Sequence, residues 1–265
     1  MVELGKDTGM EYRYLGNSGL KVSVLSYGNM TARDNPESRD FQKAVVKRCL
    51  EAGINFFDTA EYYQLGYAEK DLGRVFKELN VKREDIVVTT KIFKIGDGVN
   101  DGFLSRKHII EGLTNSLKRL QLDYVDIVYC HRPDYEVSLE ETVGAMNWCI
   151  ESGKAFYWGT SEWPADRIAK AMEMCEAKGW HKPIVDQCEY SMLIREKMEK
   201  EYRRLFSEYR YGTTIWSPIA GGILAGKYND GSAPDGTRYT SDPNPIYQMI
   251  WMKYFSPDKK ETRVK

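Results

Sequence analysis

Between residues 12 and 228 the chain alternates short apolar runs with longer stretches whose apolar residues recur every three or four positions. The short runs predict strands and the longer ones helices. Residues 11–27 come first, with polar and apolar positions alternating about Asn17-Ser18-Gly19, a turn between two short strands. A repeating unit then begins at the apolar run 24–27, which leads into Gly28-Asn29-Met30. Ser38 is expected to open a helix with Phe41, Val45 and Cys49 on its inner face, closed by Gly53. A buried strand follows and stops at Asp58, with Tyr63 five residues later.

The alternation continues with a helix over 67–78, a strand over 85–91 ending at Lys91, and a helix over 105–120. In that helix Ile109, Leu113, Leu117 and Leu120 share one face. The strand 125–130 ends at His131, and the helix 139–152 opens on a capping box, Ser138 with Glu141. Strand 155–159 leads to Thr160-Ser161. The next helix starts near Pro164, turns Ile168, Met172 and Cys175 inward, and ends at Gly179. Strand 184–185 leads to Asp186-Gln187, a single helix is expected over roughly 192–208, and strand 212–216 leads to Ser217-Pro218.

This is strand–helix alternation with seven repeats. Continuously apolar strands are covered on both faces, as in an all-parallel sheet. A closed β/α barrel and an open doubly wound sheet both meet that condition. Two features favour the barrel: no Gly-x-Gly-x-x-Gly follows the first strand, and reactive residues end many different strands. A (β/α)8 TIM barrel needs eight strands. After Tyr228 the sequence becomes loop-like over 229–245, then gives a short amphipathic piece over 247–254 and a charged tail over 259–265. The expectation is one barrel domain over 1–265 that lacks its last strand and helices, the chain being C-terminally incomplete.

Composition narrows the partners. Thirty-eight basic residues face 39 acidic ones, a net charge of −1, which argues against nucleic acid or an anionic membrane. Five cysteines are odd in number, scattered and never in a Cys-x-x-Cys pair. They read as small buried hydrophobes in a reducing compartment. The polar N-terminus does not resemble a signal peptide, and no apolar run is long enough to span a membrane, so a cytoplasmic protein is expected. No metal site is expected.

The chemistry gathers at three strand ends. Taken singly, Asp58 reads as a helix cap, Tyr63 as a packing aromatic, Lys91 as a solvated strand end and His131 as a satisfied histidine. Together they form a set suited to proton transfer. A phenol is a sluggish acid at neutral pH, and a lysine ammonium beside it stabilises the phenolate. A carboxylate holds the lysine charged, and a histidine can donate to a substrate carbonyl while hydride arrives at carbon.

At these residues the chain resembles the aldo-keto reductase family. The stretch Phe57-Asp-Thr-Ala-Glu-Tyr-Tyr63 with Gly66 and Glu69, the lysine strand Thr89-Thr-Lys91 and the histidine strand Tyr129-Cys-His-Arg-Pro133 carry the resemblance. Ile92-Phe93, Arg119-Leu-Gln-Leu-Asp-Tyr-Val-Asp126, Tyr157-Trp-Gly-Thr-Ser161 and Trp216-Ser-Pro218 are most similar to the voltage-gated potassium channel β-subunit branch. The resemblance implies NADPH-dependent reduction of aldehydes or ketones, with Tyr63 as proton donor, Lys91 and Asp58 tuning it, and His131 orienting the carbonyl. That branch carries asparagine at the position of His131.

The resemblance also implies cofactor contacts. Gly28, Asn29 and Asp58 would lie beside the cofactor, Ser161 and Gln187 on the nicotinamide carboxamide, and Trp216 under the ring. Ser217, Pro218, Ile219, Ala220 and Gly221 with Lys227 would fold over the pyrophosphate, and Arg238 would contact a phosphate. Glu162 stands where the branch has arginine, and Lys94 replaces an aromatic beside the pocket. The branch further implies a channel or other large-assembly partner and a homo-tetramer, and a non-catalytic or redox-sensing subunit is the alternative to a working reductase.

Overall fold

The computed structural model describes residues 2–242 and 245–255. The charged tail expected over 259–265 lies outside them. The chain divides into two compact units, one of residues 1–187 and 202–214 and one of residues 188–201 and 215–265.

The first unit begins with a hairpin, β1 (Tyr12–Tyr14) and β2 (Lys21–Ser23), paired antiparallel with Arg13 opposite Val22. Its turn is the predicted one, and Ser18 Oγ donates to Leu15 O at 2.7 Å. Next come β3 (Ser26–Gly28), α1 (Pro36–Glu51), β4 (Phe56–Asp58), α2 (Tyr67–Glu78), β5 (Val87–Ile92), α3 (Arg106–Leu120) and β6 (Val125–Cys130). They are followed by α4 (Leu139–Glu151), β7 (Ala155–Ser161), α5 (Ala165–Lys178), β8 (Val185–Glu189), α6 (Arg203–Tyr209) and β9 (Gly212–Trp216). Strands β3 to β8 pair in parallel with their sequence neighbours, and β9 completes a seven-stranded sheet in chain order. Strand order equal to chain order, with a helix in each connection, is the topology of a partial (β/α)8 barrel.

The N-terminal ends of the strands are plugged. Leu15 and Val22 of the hairpin pack with Phe56, Val87, Ile127, Tyr129 and Val185 in one apolar cluster. That leaves the C-terminal ends for chemistry, as in barrels generally.

Several elements differ from expectation in instructive ways. Helix α1 starts at Pro36 under an Asn35 cap, and its buried face is Gln42, Val46 and Leu50, one position on from the expected set. Phe41 is 64% exposed. The polar Gln42 is buried because its amide oxygen accepts the Tyr27 hydroxyl, so a reading by apolar periodicity passes over it. The capping box of α4 is half formed: Ser138 Oγ accepts from Glu141 N at 3.2 Å, while the Glu141 carboxylate accepts from Arg106 N at 2.9 Å instead.

Strands β7 and β8 run further than their apolar letters, because buried polar groups satisfy each other there. Thr160 Oγ1 donates to Asp186 Oδ2 at 2.6 Å across the pair. The expected helix over 192–208 is broken into a π turn at Lys197–Glu201 and the separate α6.

In the second unit, the loop-like stretch contains the short α7 (Arg238–Ser241), followed by α8 (Pro245–Phe255). Glu189 accepts from the Lys253 ammonium and from Tyr254 Oη, tying α8 to the end of β8. Among the described residues no helix is long and apolar enough to cross a membrane, and all five cysteines are free.

Candidate functional site

The first unit brings the four strand-end residues together. Asp58 closes β4, Lys91 is the fifth residue of β5, and His131 follows β6. Lys91 is fully buried, and its ammonium makes three contacts: Asp58 Oδ2 at 2.5 Å, Thr59 O at 2.9 Å and Tyr63 Oη at 3.1 Å. The Tyr63 ring meets the His131 ring edge to face, with centroids 5.7 Å apart.

Tyr63 comes back toward Lys91 because the chain turns sharply after Asp58. Gln64 and Leu65 take left-handed backbone, and Gly66, at φ 84°, starts α2. Glycine is required at that last position. Arg119 lies across it, and an added Cβ would stand 2.7 Å from Arg119 Cδ.

The electrostatics of the cluster follow from burial and neighbours. Burial pushes the Lys91 ammonium down, but Asp58 and then Tyr63 outweigh it, so its pKa is raised and the charge is kept. His131 is held well below the ordinary histidine range by burial first, then by Lys91 and Arg132. It is therefore neutral at pH 7 and able to donate one N–H. Asp58 is itself held by three side chains from two other strands: Oδ1 accepts from Thr89 Oγ1 at 2.6 Å and from Gln187 Nε2 at 3.2 Å, and Oδ2 accepts from Lys91.

Of the residues expected on a cofactor, Gly28, Asn29 and Ser161 also fall at strand ends of this unit, and Gln187, inside β8, is paired with Ser161. Ser161 Oγ donates to Gln187 O at 2.8 Å and accepts from Arg132 Nη1 at 3.2 Å. Asn29 is buried beside Asp58. Its Nδ2 donates to Ala68 O at 2.7 Å, while its Oδ1 is buried with no partner among the described residues. Gly28 has open space where a Cβ would stand, with Asp58 O nearest at 3.9 Å. Glu162 takes left-handed backbone at φ 60°. Lys94 pairs with Asp97 at 3.1 Å.

Trp216, Ser217, Pro218, Ile219, Ala220, Gly221, Lys227 and Arg238 belong to the second unit. There Ser217, Ala220, Gly221 and Gly222 all have positive φ, and the turn closes through Ala220 N to Ser217 O at 2.8 Å. Successive backbone amides in such a turn form an anion-binding concavity. Tyr239 Oη donates to Gly221 O at 2.9 Å, and a Cβ on Gly221 would meet that oxygen at 2.2 Å. Lys227 and Arg238 lie over the rings of Tyr228 and Tyr247.

Sequence reasoning missed the supports. Glu61, fully buried inside the Asp58-to-Tyr63 turn, accepts from Phe93 N at 2.7 Å and meets His108 Nε2 at 2.9 Å. Glu69 accepts from Arg119 Nε and Thr90 Oγ1, each at 2.5 Å. Burial pushes its carboxyl upward against the pull of Arg119. A glutamate on a helix or turn normally reads as solvated. Only the arrival of His108 and Arg119 from α3 makes these two interior residues.

A barrel-type sheet with a buried lysine bridging carboxylate and phenol at its C-terminal end defines an oxidoreductase scaffold, and comparison with known proteins agrees. Residues 24–258 match the model of the aldo/keto reductase family, and the chain belongs to that family. It is similar to a probable voltage-gated potassium channel subunit beta of Oryza sativa subsp. japonica, 50% identical over 230 residues covering 87% of this chain and 70% of that protein. A probable voltage-gated potassium channel subunit beta of Arabidopsis thaliana is 49% identical over the same shares. A putative one of Schizosaccharomyces pombe is 47% identical over 235 residues, covering 87% of this chain and 67% of that protein.

Proposed function

We propose that the protein is an NADPH-dependent reductase of aldehydes or ketones. The observation that carries this reading is the buried Lys91 ammonium, hydrogen-bonded to both Asp58 and Tyr63. Tyr63 gives its proton to the carbonyl oxygen. Lys91 donates to the phenol oxygen and stabilises the negative charge left on it. Asp58 keeps the lysine charged and in place. His131 is neutral, so it orients the carbonyl by donating a hydrogen bond without competing as the acid.

NADPH, when bound, supplies the hydride. The orphaned Asn29 Oδ1, with Ser161 and Gln187 paired across β7 and β8, fits the amide and hydroxyl groups at the nicotinamide end. In the second unit, Ser217, Pro218, Ile219, Ala220 and Gly221 with Lys227 form a candidate phosphate cradle of their own.

Following NADPH absorbance with a panel of aldehydes tests the reading. Turnover that disappears in Tyr63→Phe supports it; turnover undiminished in that variant removes Tyr63 from its role.

A second reading is a β-type subunit of a potassium channel or other large assembly, favoured by the identity to relatives bearing that name. It is compatible with the first. Co-purification of a channel protein with the tagged chain from native membranes, together with a four-fold oligomer by light scattering, is the expected result. A monomer that retains no membrane protein counts against it.

A further inference from the structure

We propose that Arg132 seats an anionic group on the carbonyl substrate, so that the site takes carbonyl compounds carrying a carboxylate or phosphate close to the carbonyl. The inference rests on the reductase reading above. Arg132 directly follows His131 at the end of β6. Its Nη1 donates to His131 O at 2.5 Å and to Ser161 Oγ at 3.2 Å, which fixes the guanidinium between the ends of β6 and β7. It is close enough to help hold the His131 ring neutral.

The other half of the guanidinium is uncommitted. Among the described residues Nε and Nη2 of Arg132 have no acceptor, and neither atom is sealed from solvent, unlike the buried Nε of Arg83 and Arg167. No carboxylate lies within ion-pair distance of Arg132 among those residues. Three other cations of the interior are answered by carboxylates, Lys91 by Asp58 at 2.5 Å, Arg119 by Glu69 at 2.5 Å and Arg83 by Asp126 at 2.6 Å, while Arg167 is spent on the backbone carbonyl of Asp134 and lies against the rings of Tyr135 and Trp163. A partly buried guanidinium without a counter-ion is under-satisfied, and its Nε–Nη2 edge is the fork that carboxylates and phosphates fit bidentately. Lys91 is committed to Asp58 and the unpartnered Nε of Arg167 is sealed inside the protein, whereas the free edge of Arg132 stays open to attract an anion. Its place beside the carbonyl-orienting His131 puts that anion on the substrate.

The test is calorimetric binding to the whole chain in the presence of NADP⁺, which needs no turnover. Phenylglyoxylate is compared with its methyl ester, and glycolaldehyde phosphate with glycolaldehyde. The wild-type protein is expected to bind one or both anions about tenfold or more tightly than the neutral partner, since hydrogen bonds to charged groups are the strong ones. Which pair shows the preference separates carboxylate from phosphate. In Arg132→Gln the ratio falls to about one, and in Arg132→Lys, which keeps the charge without the fork, it stays between the two. Equal binding of anion and neutral partner by the wild type, or a ratio unchanged in Arg132→Gln, overturns the proposal. Absent NADPH oxidation with the neutral ester and with simple aldehydes counts against the reductase reading alone, because the binding ratio is read separately.

Discussion

The Lys91 ammonium lies 3.1 Å from the phenol oxygen of Tyr63, reaching it from the neighbouring strand while wholly buried. In the proposed reaction, the attraction of that cation for the phenol oxygen grows as the phenol's proton leaves. Tyr63→Phe is therefore expected to lower kcat by about 10²–10⁴-fold, the usual span of a general acid, with NADPH affinity changed far less. Steady-state kinetics beside fluorescence titration of the cofactor check both halves.

The same lysine is a structural liability. Lys91→Met leaves the Asp58 carboxylate without its cation, and breaking a buried pair in this way costs about 3–5 kcal/mol. The double variant Asp58→Asn/Lys91→Met removes both charges and should recover much of the loss. Urea denaturation of the two variants measures the difference. A double variant as unstable as the single one contradicts this account.

Burial and neighbouring cations depress His131 in the folded state. Below the unfolded value of about 6.5, the unfolded chain takes up a proton that the folded chain refuses. His131 therefore removes stability as pH falls from about 6.5 toward its lower folded value, by at most about 1.4 kcal/mol per pH unit. It has no effect above that window. His131→Asn is expected to flatten the pH dependence of the melting temperature between about pH 6.5 and 5 relative to wild type.

Glu61 ties the turn bearing Tyr63 to Phe93 N and to His108. Glu61→Leu strands both donors, and a stability loss of about 1–3 kcal/mol is expected. Because the turn also places Tyr63, kcat should fall more than KM rises. Glu61→Gln retains an acceptor and should restore part of the activity, which a purely volumetric defect would not allow.

On α2, Gly73 faces the end of α3 so closely that a Cβ would stand 2.1 Å from Leu120 O. Gly73→Ala forces the two helices apart and should cost about 1–3 kcal/mol. Phe41→Ser, on the open face of α1, should shift stability by less than about 0.5 kcal/mol. Thermal melts of the pair compare a close approach with an exposed aromatic.

That last contrast shows what the sequence made legible. The strand–helix rhythm, the inner face of α3 and the strand-end placement of Asp58, Lys91 and His131 followed from local patterning, since buried strands are apolar until they reach the site. Apolar periodicity misplaces the face of α1 because Gln42 is interior through a hydrogen bond to Tyr27, a contact that periodicity does not encode. The same pattern ends strands β7 and β8 too early, at Thr160 and Asp186, whose mutual hydrogen bond it does not encode. Glu61, Glu69 and Arg132 went unassigned because their meaning depends on partners brought from other elements by the fold.

Asp58 Oδ1 is shared. Thr89 and Gln187 both donate to it, while Oδ2 of the same carboxylate holds Lys91. The Gln187 amide on β8 is thus joined to the Tyr63 phenol through three hydrogen bonds, by way of Asp58 and Lys91. Under the proposed reductase function, altering Gln187 to change nicotinamide binding is expected to change turnover along with affinity, since the two properties have a carboxylate in common.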